Sequence, residues 1–343
     1  MDKTASPTGR PILTVEGMSV DLAVPSGQLH AVRGVDFSVK TGETFCIVGE
    51  SGCGKTMTSL ALMRLLPRKA SLTATRMEFD GLDLSTLSER EMASLRGDRL
   101  GMIFQDPMTS LNPVYTIGDQ MEEVYLRHRV TTRKEARERA EYLLQRVGIM
   151  SPALRLGQFP HQLSGGLRQR VMIAMTLMCE PKLVIADEPT TALDVTVQVQ
   201  ILQLLARLQQ EFGMAIILIT HNLGIVARMA DRLAVMYAGK IIETGSAVEV
   251  FTNPQHPYTR GLLRCMPGYG SAGPDARLGS IPGLVPSLVG DIDGCGFRNR
   301  CDFATADCAI GDPGLRVLSG GHRYRCRLEA GDASRSPVQN ALS

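Results

Sequence analysis

The chain is predicted to be an α/β protein built on a mostly parallel sheet with helices on both faces. Three observations carry that prediction. Gly49 to Thr56 reads Gly-Glu-Ser-Gly-Cys-Gly-Lys-Thr, the G-x-x-x-x-G-K-[ST] spacing of a phosphate-cradling loop. A β-rich run, Thr44 to Val48, precedes it, and Met57 to Leu66 follows as an apolar-faced helix that stops before Pro67. Beyond Gly165, strand-like and helix-like stretches alternate, as a parallel sheet with crossover helices requires.

In chain order, residues 1–11 read as a disordered lead-in. Leu13 to Leu22 and His30 to Lys40 are expected as strands of a small antiparallel sheet, separated by the turn Val24-Pro-Ser-Gly27. Ala74 to Phe79 is a further strand, Ser88 to Leu95 a short helix, and Leu100 to Phe104 a strand that delivers Gln105. Asp106 to Pro113 is turn-rich. Thr116 to His128 and Thr132 to Val147 read as helices, the second with Ala136, Ala140, Leu143, Leu144 and Val147 on one face. They define a helical subdomain at about 106–164 within a main domain of 12–250. Gly166 to Met178 and Val195 to Phe212 are helices. Leu183 to Asp187 and Ala215 to Thr220 are strands, the second leading directly into His221. Leu223 to Met229 is helical, and Arg232 to Tyr237 and Lys240 to Thr244 are strands. From Phe251, recurring Pro and Gly mark an extended segment, 251–328, with one short helix at Tyr258 to Cys265; 329–343 reads as a tail.

The composition narrows the function. A chain of 343 residues allows one large domain and an appendage. A formal net charge of +2 gives no basic field for nucleic acid. No run of eighteen apolar residues occurs, and the N-terminus lacks the apolar core of a secretion signal, so a cytosolic protein is expected.

The chemistry starts at the loop. Gly49, Gly52 and Gly54 let backbone N–H groups turn toward phosphate oxygens, with Glu50, Ser51 and Cys53 completing the turn. Lys55 would reach the β- and γ-phosphates, and the Thr56 hydroxyl would meet Mg²⁺. Asp187 ends an apolar strand, as the Mg²⁺-holding acid of phosphate-loop enzymes does, and Glu188 is placed to polarise an attacking water. Cys53 is read as a small residue filling a tight loop, with sensitivity to alkylation that nucleotide should relieve.

With these elements the chain resembles the nucleotide-binding subunits of ABC transporters. Leu163-Ser-Gly-Gly-Leu-Arg-Gln-Arg170 matches the family signature, although Leu167 stands where many members carry Gln. The resemblance implies a RecA-like core with antiparallel and helical subdomains. Ser164, Gly165 and Gly166 would then contact the γ-phosphate held by a second ATPase across a head-to-tail dimer. Gln105 would be the Q-loop glutamine that senses Mg²⁺ and water, Thr191-Ala-Leu-Asp194 the D-loop, His221 the switch histidine and Glu188 the catalytic base. No aromatic lies between Leu22 and Val32 to stack on adenine, leaving Leu22, Leu29 or Val32 to cover the base.

Phe104 to Pro113, Asn253 to Arg260 and Ile281 to Pro286 resemble the dipeptide/oligopeptide (and nickel) importer branch. That implies an ATPase powering peptide import, with a nickel-chelate importer as the alternative. It implies a heterodimer with a different ATPase, two membrane permeases, an extracytoplasmic solute-binding protein, and a peripheral place on the cytoplasmic face of the inner membrane. A soluble ABC ATPase acting on nucleic acid or ribosomes is the competing class, disfavoured by the single domain and the small net charge. Cys295, Cys301, Cys308 and Cys326 form a late cluster without a tight C-x₂-C or C-x₄-C knuckle. The long gaps and the resemblance favour a [4Fe–4S] cluster, with zinc or unligated thiols as alternatives and His322 as a lesser candidate ligand.

Overall fold

The computed structural model describes residues 10–106, 110–190, 193–266 and 279–330. It divides into two compact units. One takes in Ser38–Thr44 and Glu78–Ile219 with the chain start to Leu13; the other takes in Thr14–Phe37, Phe45–Met77 and the chain from Thr220 on.

In the first unit, β7 (Leu100–Ile103), β8 (Leu183–Asp187) and β9 (Ala215–Thr220) run parallel, with Leu100 beside Leu183 and Leu183 beside Ala215. All three are buried along their length, which explains why they read as continuous apolar runs rather than alternating ones. The helix Val195–Phe212 returns the chain from β8 to β9 and ends on Gly213 at φ 64°, a left-handed stop. Three helices, Ile117–His128, Arg133–Arg146 and Pro152–Leu156, lie in the expected helical region. Thr116 caps the first and a Thr132/Glu135 capping box opens the second. The apolar face read from the sequence is the buried one: Ala136, Ala140, Leu143, Leu144 and Val147 are inaccessible to solvent.

In the second unit, β1 (Pro11–Val24) and β2 (Gly27–Lys40) are longer than their alternation suggested, and β4 (Ala70–Thr73) pairs antiparallel with β1. Next in the chain, β5 (Arg76–Phe79) pairs antiparallel with β6 (Leu82–Asp83). β3 (Thr44–Val48) lies parallel to β10 (Arg232–Tyr237). β11 (Lys240–Ser246) pairs antiparallel to β10. Two strands absent from the sequence reading extend this edge: β13 (Arg323–Arg325) pairs with β11, and β12 (Leu315–Val317) pairs with β13. Each is three residues long, too short for a period to show. The expected short helix near Tyr258 is Pro257–Arg264, opened by proline at its first position.

Candidate nucleotide-binding and hydrolysis site

β3 is wholly buried and feeds Gly49 into the loop, and the helix Lys55–Leu62 leaves it. Two glycines are obligatory here. A Cβ on Gly49 would collide with the Met236 carbonyl oxygen, and one on Gly54, at φ 106°, with the Ala31 carbonyl oxygen. Their backbones are therefore pressed against β10 and β2, which sets the loop's shape. The Lys55 side chain, only 5% exposed, donates from Nζ to the carbonyl oxygens of Gly49 and Glu50, each at 2.9 Å. The ammonium is thus held by the loop's own carbonyls. Ser51, Gly52 and Thr56 face solvent at the open side.

Cys53 is fully buried, and burial pushes its thiol pKa up, with nearby Lys55 pulling the other way. That works against the ready alkylation expected from the sequence, because less thiolate is present at neutral pH. His221 follows β9 directly and is exposed, and Asn222 after it caps the helix Leu223–Met229. Val32 is completely buried, which removes it as a cover for adenine; Leu22 and Leu29 remain half-exposed.

Other expected site residues lie in the first unit. β8 ends in Asp187, 2% exposed, and the next residue, Glu188, sits at φ 45°. A non-glycine residue in the left-handed region costs about 1 kcal/mol or more. The turn is held by the Glu188 N–H donating to the Ile219 carbonyl at 2.9 Å. Gln105, just past β7, donates from Nε2 to Glu188 Oε2 at 3.4 Å. Residues 83 apart in sequence therefore meet at the ends of neighbouring strands.

Ser164 caps the helix Gly165–Thr176 and accepts from the Leu167 N–H at 3.4 Å. Ser164 and Gly165 are exposed, so this helix start faces solvent. Asp194 caps Val195–Phe212, its Oδ1 accepting from the Val197 N–H at 3.0 Å. Thr191 and Ala192 of the expected D-loop, and Pro107, Met108 and Thr109 of the expected Q-loop, lie outside the described residues.

The four late cysteines converge. Cys295, Cys301, Cys308 and Cys326 line one cavity of about 20 Å³, together with Pro257 and Phe303. Burial, and secondarily the neighbouring thiols, push the Cys301 thiol up to about 11, and Cys295 rises for the same reasons. Four soft donors around one apolar space suit a thiolate-bound metal in chemistry. They are not in ligating geometry: among the described residues no three or more His, Cys, Asp or Glu side chains are arranged to hold a metal ion. The expected [4Fe–4S] or zinc centre is thus not borne out by the geometry. His322 is engaged elsewhere. Its Nε2 lies 2.8 Å from Oε1 of Glu243, whose carboxylate is wholly buried and also accepts the N–H groups of Gln255 and His256.

Residues 32–191 match the family model described as ABC transporter, and 242–308 match that of the oligopeptide/dipeptide transporter C-terminal region. The chain is 49% identical over 319 residues to the dipeptide transport ATP-binding protein DppD of Bacillus subtilis (strain 168), covering 93% of this chain and 95% of that protein. To the DppD of Escherichia coli (strain K12) it is 48% identical over 324 residues, covering 94% and 98%. A solved dimer of the ATP-binding cassette MJ0796, in a post-hydrolysis state bound to ADP and Pi, superposes with a TM-score of 0.61 at 26% identity, over 68% of this chain and 98% of that one.

The chain belongs to the ABC transporter family and is one of its ATP-hydrolysing, ATP-binding proteins. Within that family its relatives and its C-terminal match lie in the oligopeptide/dipeptide transporter branch.

Proposed function

We propose that this chain is the ATPase subunit of a peptide importer, hydrolysing ATP to ADP and phosphate to drive di- or oligopeptide uptake through membrane permeases. The observation that carries the hydrolytic reading is the Gln105–Glu188 contact beside buried Asp187. The names of the relatives support the peptide cargo.

In this reading the amides of Gly49 to Thr56 bind the phosphates, and Lys55 exchanges its two carbonyl partners for β- and γ-phosphate oxygens. Asp187, Thr56 and Gln105 hold Mg²⁺, which supplies charge neutralisation on the phosphates when bound. Glu188 orients water in line with the γ-phosphorus, and His221 contacts the γ-phosphate. Ser164, Gly165, Gly166 and Asp194 serve the nucleotide of a second, different ATPase in a heterodimer. That open helix start, Ser164-capped, supports a site completed between subunits.

Two permeases and an extracytoplasmic solute-binding protein complete the complex, with this chain on the cytoplasmic face of the inner membrane. Among the described residues no helix is long and apolar enough to cross a membrane, which suits peripheral attachment. The ABC domain spans about 12–250, with its helical subdomain at about 106–164, and the importer-type extension spans 251–328. In that extension Cys295, Cys301, Cys308 and Cys326 would hold a [4Fe–4S] cluster, or alternatively zinc; the group would supply a covalent cross-link between four distant points of a strand-poor segment. The support is the shared cavity lining and the soft-donor chemistry, not the present thiol placement, which would have to change to ligate a metal.

Glu188→Gln tests the hydrolytic assignment. The variant is expected to bind MgATP while its turnover falls by about a hundredfold or more. Turnover at the wild-type rate would remove Glu188 from its role.

A further inference from the structure

Cys295 and Cys301 enclose Gly296-Phe-Arg-Asn-Arg300, and this turn reaches the phosphate loop. Arg300 Nη1 donates to Glu50 Oε2 at 2.6 Å and Nη2 to Glu50 Oε1 at 3.0 Å, a two-pronged ion pair. The arginine side chain is 5% exposed. Its other donors are used as well: Nε on the Pro282 carbonyl at 2.9 Å and Nη2 on the Ile281 carbonyl at 3.1 Å, while the Tyr237 hydroxyl lies 3.4 Å from Nη1. Phe297, three residues earlier, packs edge-on against Tyr237 and Tyr258, ring centroids 5.3 and 5.4 Å away. Tyr258 in turn accepts the Glu50 N–H on its hydroxyl at 2.9 Å. Glu50 is thus fastened at its amide by Tyr258, at its carbonyl by Lys55 and at its carboxylate by Arg300.

A carboxylate is a poor neighbour for a triphosphate. Glu50 lies inside the loop that is to receive several negative charges, and only 25% of its side chain is exposed, so water screens it incompletely. Something must cancel it, and the cation that does so comes from the cysteine-bounded turn 250 residues away.

We propose that Arg300 is a positioning residue for nucleotide binding: it neutralises and holds the Glu50 carboxylate, and so makes nucleotide affinity depend on the Cys295–Cys301 turn. This rests on the reading of the phosphate loop as an ATP site. Arg300 acts through Glu50 and needs no contact with nucleotide. Loss of the arginine leaves a bare, held carboxylate beside the phosphates, and loss of both charges relieves the conflict. The effect grows with the number of phosphates, which a packing role would not produce.

Equilibrium binding of MgATP, ADP and AMP to the purified full-length chain tests this. Arg300→Gln is expected to weaken MgATP binding about tenfold and AMP binding much less. Glu50→Gln combined with Arg300→Gln is expected to return MgATP affinity to within about threefold of wild type. Arg300→Lys, which keeps the charge but not the fork, stays within about threefold. Cys301→Ser weakens MgATP binding alone, and its effect shrinks in a Glu50→Gln background. The proposal is overturned by wild-type affinity in Arg300→Gln, by a double variant as weak as the single, or by an equal Cys301→Ser effect in both backgrounds. Were Arg300→Gln to fail to fold, a tenfold loss in Arg300→Lys would overturn it in the same way. If the wild-type chain binds no MgATP and Lys55→Ala changes nothing, the ATP-site reading itself falls, a result distinct from all of these.

Discussion

Gly54→Ala and Gly52→Ala separate crowding from backbone strain within one loop. Gly54 has φ 106°, beyond the small left-handed region open to alanine, and its added Cβ would collide with the Ala31 carbonyl oxygen and stand 2.8 Å from Met236 Cε. The methionine end can swing away. The carbonyl belongs to β2 and cannot. Backbone strain of about 1–2 kcal/mol and overpacking of about 1–3 kcal/mol together give a loss of about 2–5 kcal/mol. Gly52 has φ 78° and nothing within 4 Å of its added Cβ. Only strain acts there, about 1 kcal/mol, partly offset by the smaller entropy of an unfolded alanine. Urea unfolding of the two purified variants reads the difference as a midpoint shift at constant slope. A Gly54→Ala variant no less stable than Gly52→Ala would refute the claim that the loop is pressed against β2.

Three further outcomes are expected. Glu243→Ala should cost about 3–5 kcal/mol, because the Gln255 and His256 amides and His322 lose a shared buried acceptor; hydrogen exchange at those two amides should rise, and unchanged protection would contradict the clamp. Cys53 should alkylate far more slowly in the native chain than in urea at neutral pH. Its raised pKa means the rate should climb as pH increases above the ordinary thiol range, and fast neutral-pH labelling without unfolding would count against the buried thiol. Mass spectrometry of labelled peptides reads both conditions. Metal-free protein should likewise label at Cys301 more readily as pH rises toward about 11, and maximal labelling near pH 8 would contradict the burial seen at that thiol.

Most of the fold was legible because its signals are local. The buried strands β7, β8 and β9 announce themselves as short apolar runs, and the Arg133–Arg146 helix shows its face at helical spacing. The phosphate loop and the signature were legible for a related reason: each is a contiguous turn whose chemistry demands glycine. What escaped is long-range. Nothing near Glu50 in sequence points to Arg300 or Tyr258, and nothing near His322, a lesser candidate ligand from sequence, points to its buried partner Glu243. The Val32 side chain was a candidate for covering adenine until the sheet buried it. Cysteine spacing located a cluster correctly but could not fix thiol geometry, which depends on how three-residue strands such as β12 and β13 dock. The left-handed backbone at Glu188 was equally silent, since glutamate carries no preference for it.

A chain that turns ATP over to power peptide import should do so fastest within its transport complex. The direct measurement is the ATPase rate of the complex purified from its own host's membranes through a tag on this chain, reconstituted in lipid, with and without peptide-loaded solute-binding protein. Permeases and a second ATPase should accompany the chain, and turnover should rise several-fold with loaded binding protein and vanish in Glu188→Gln. A chain recovered without permeases, or a rate indifferent to peptide and binding protein, would contradict it.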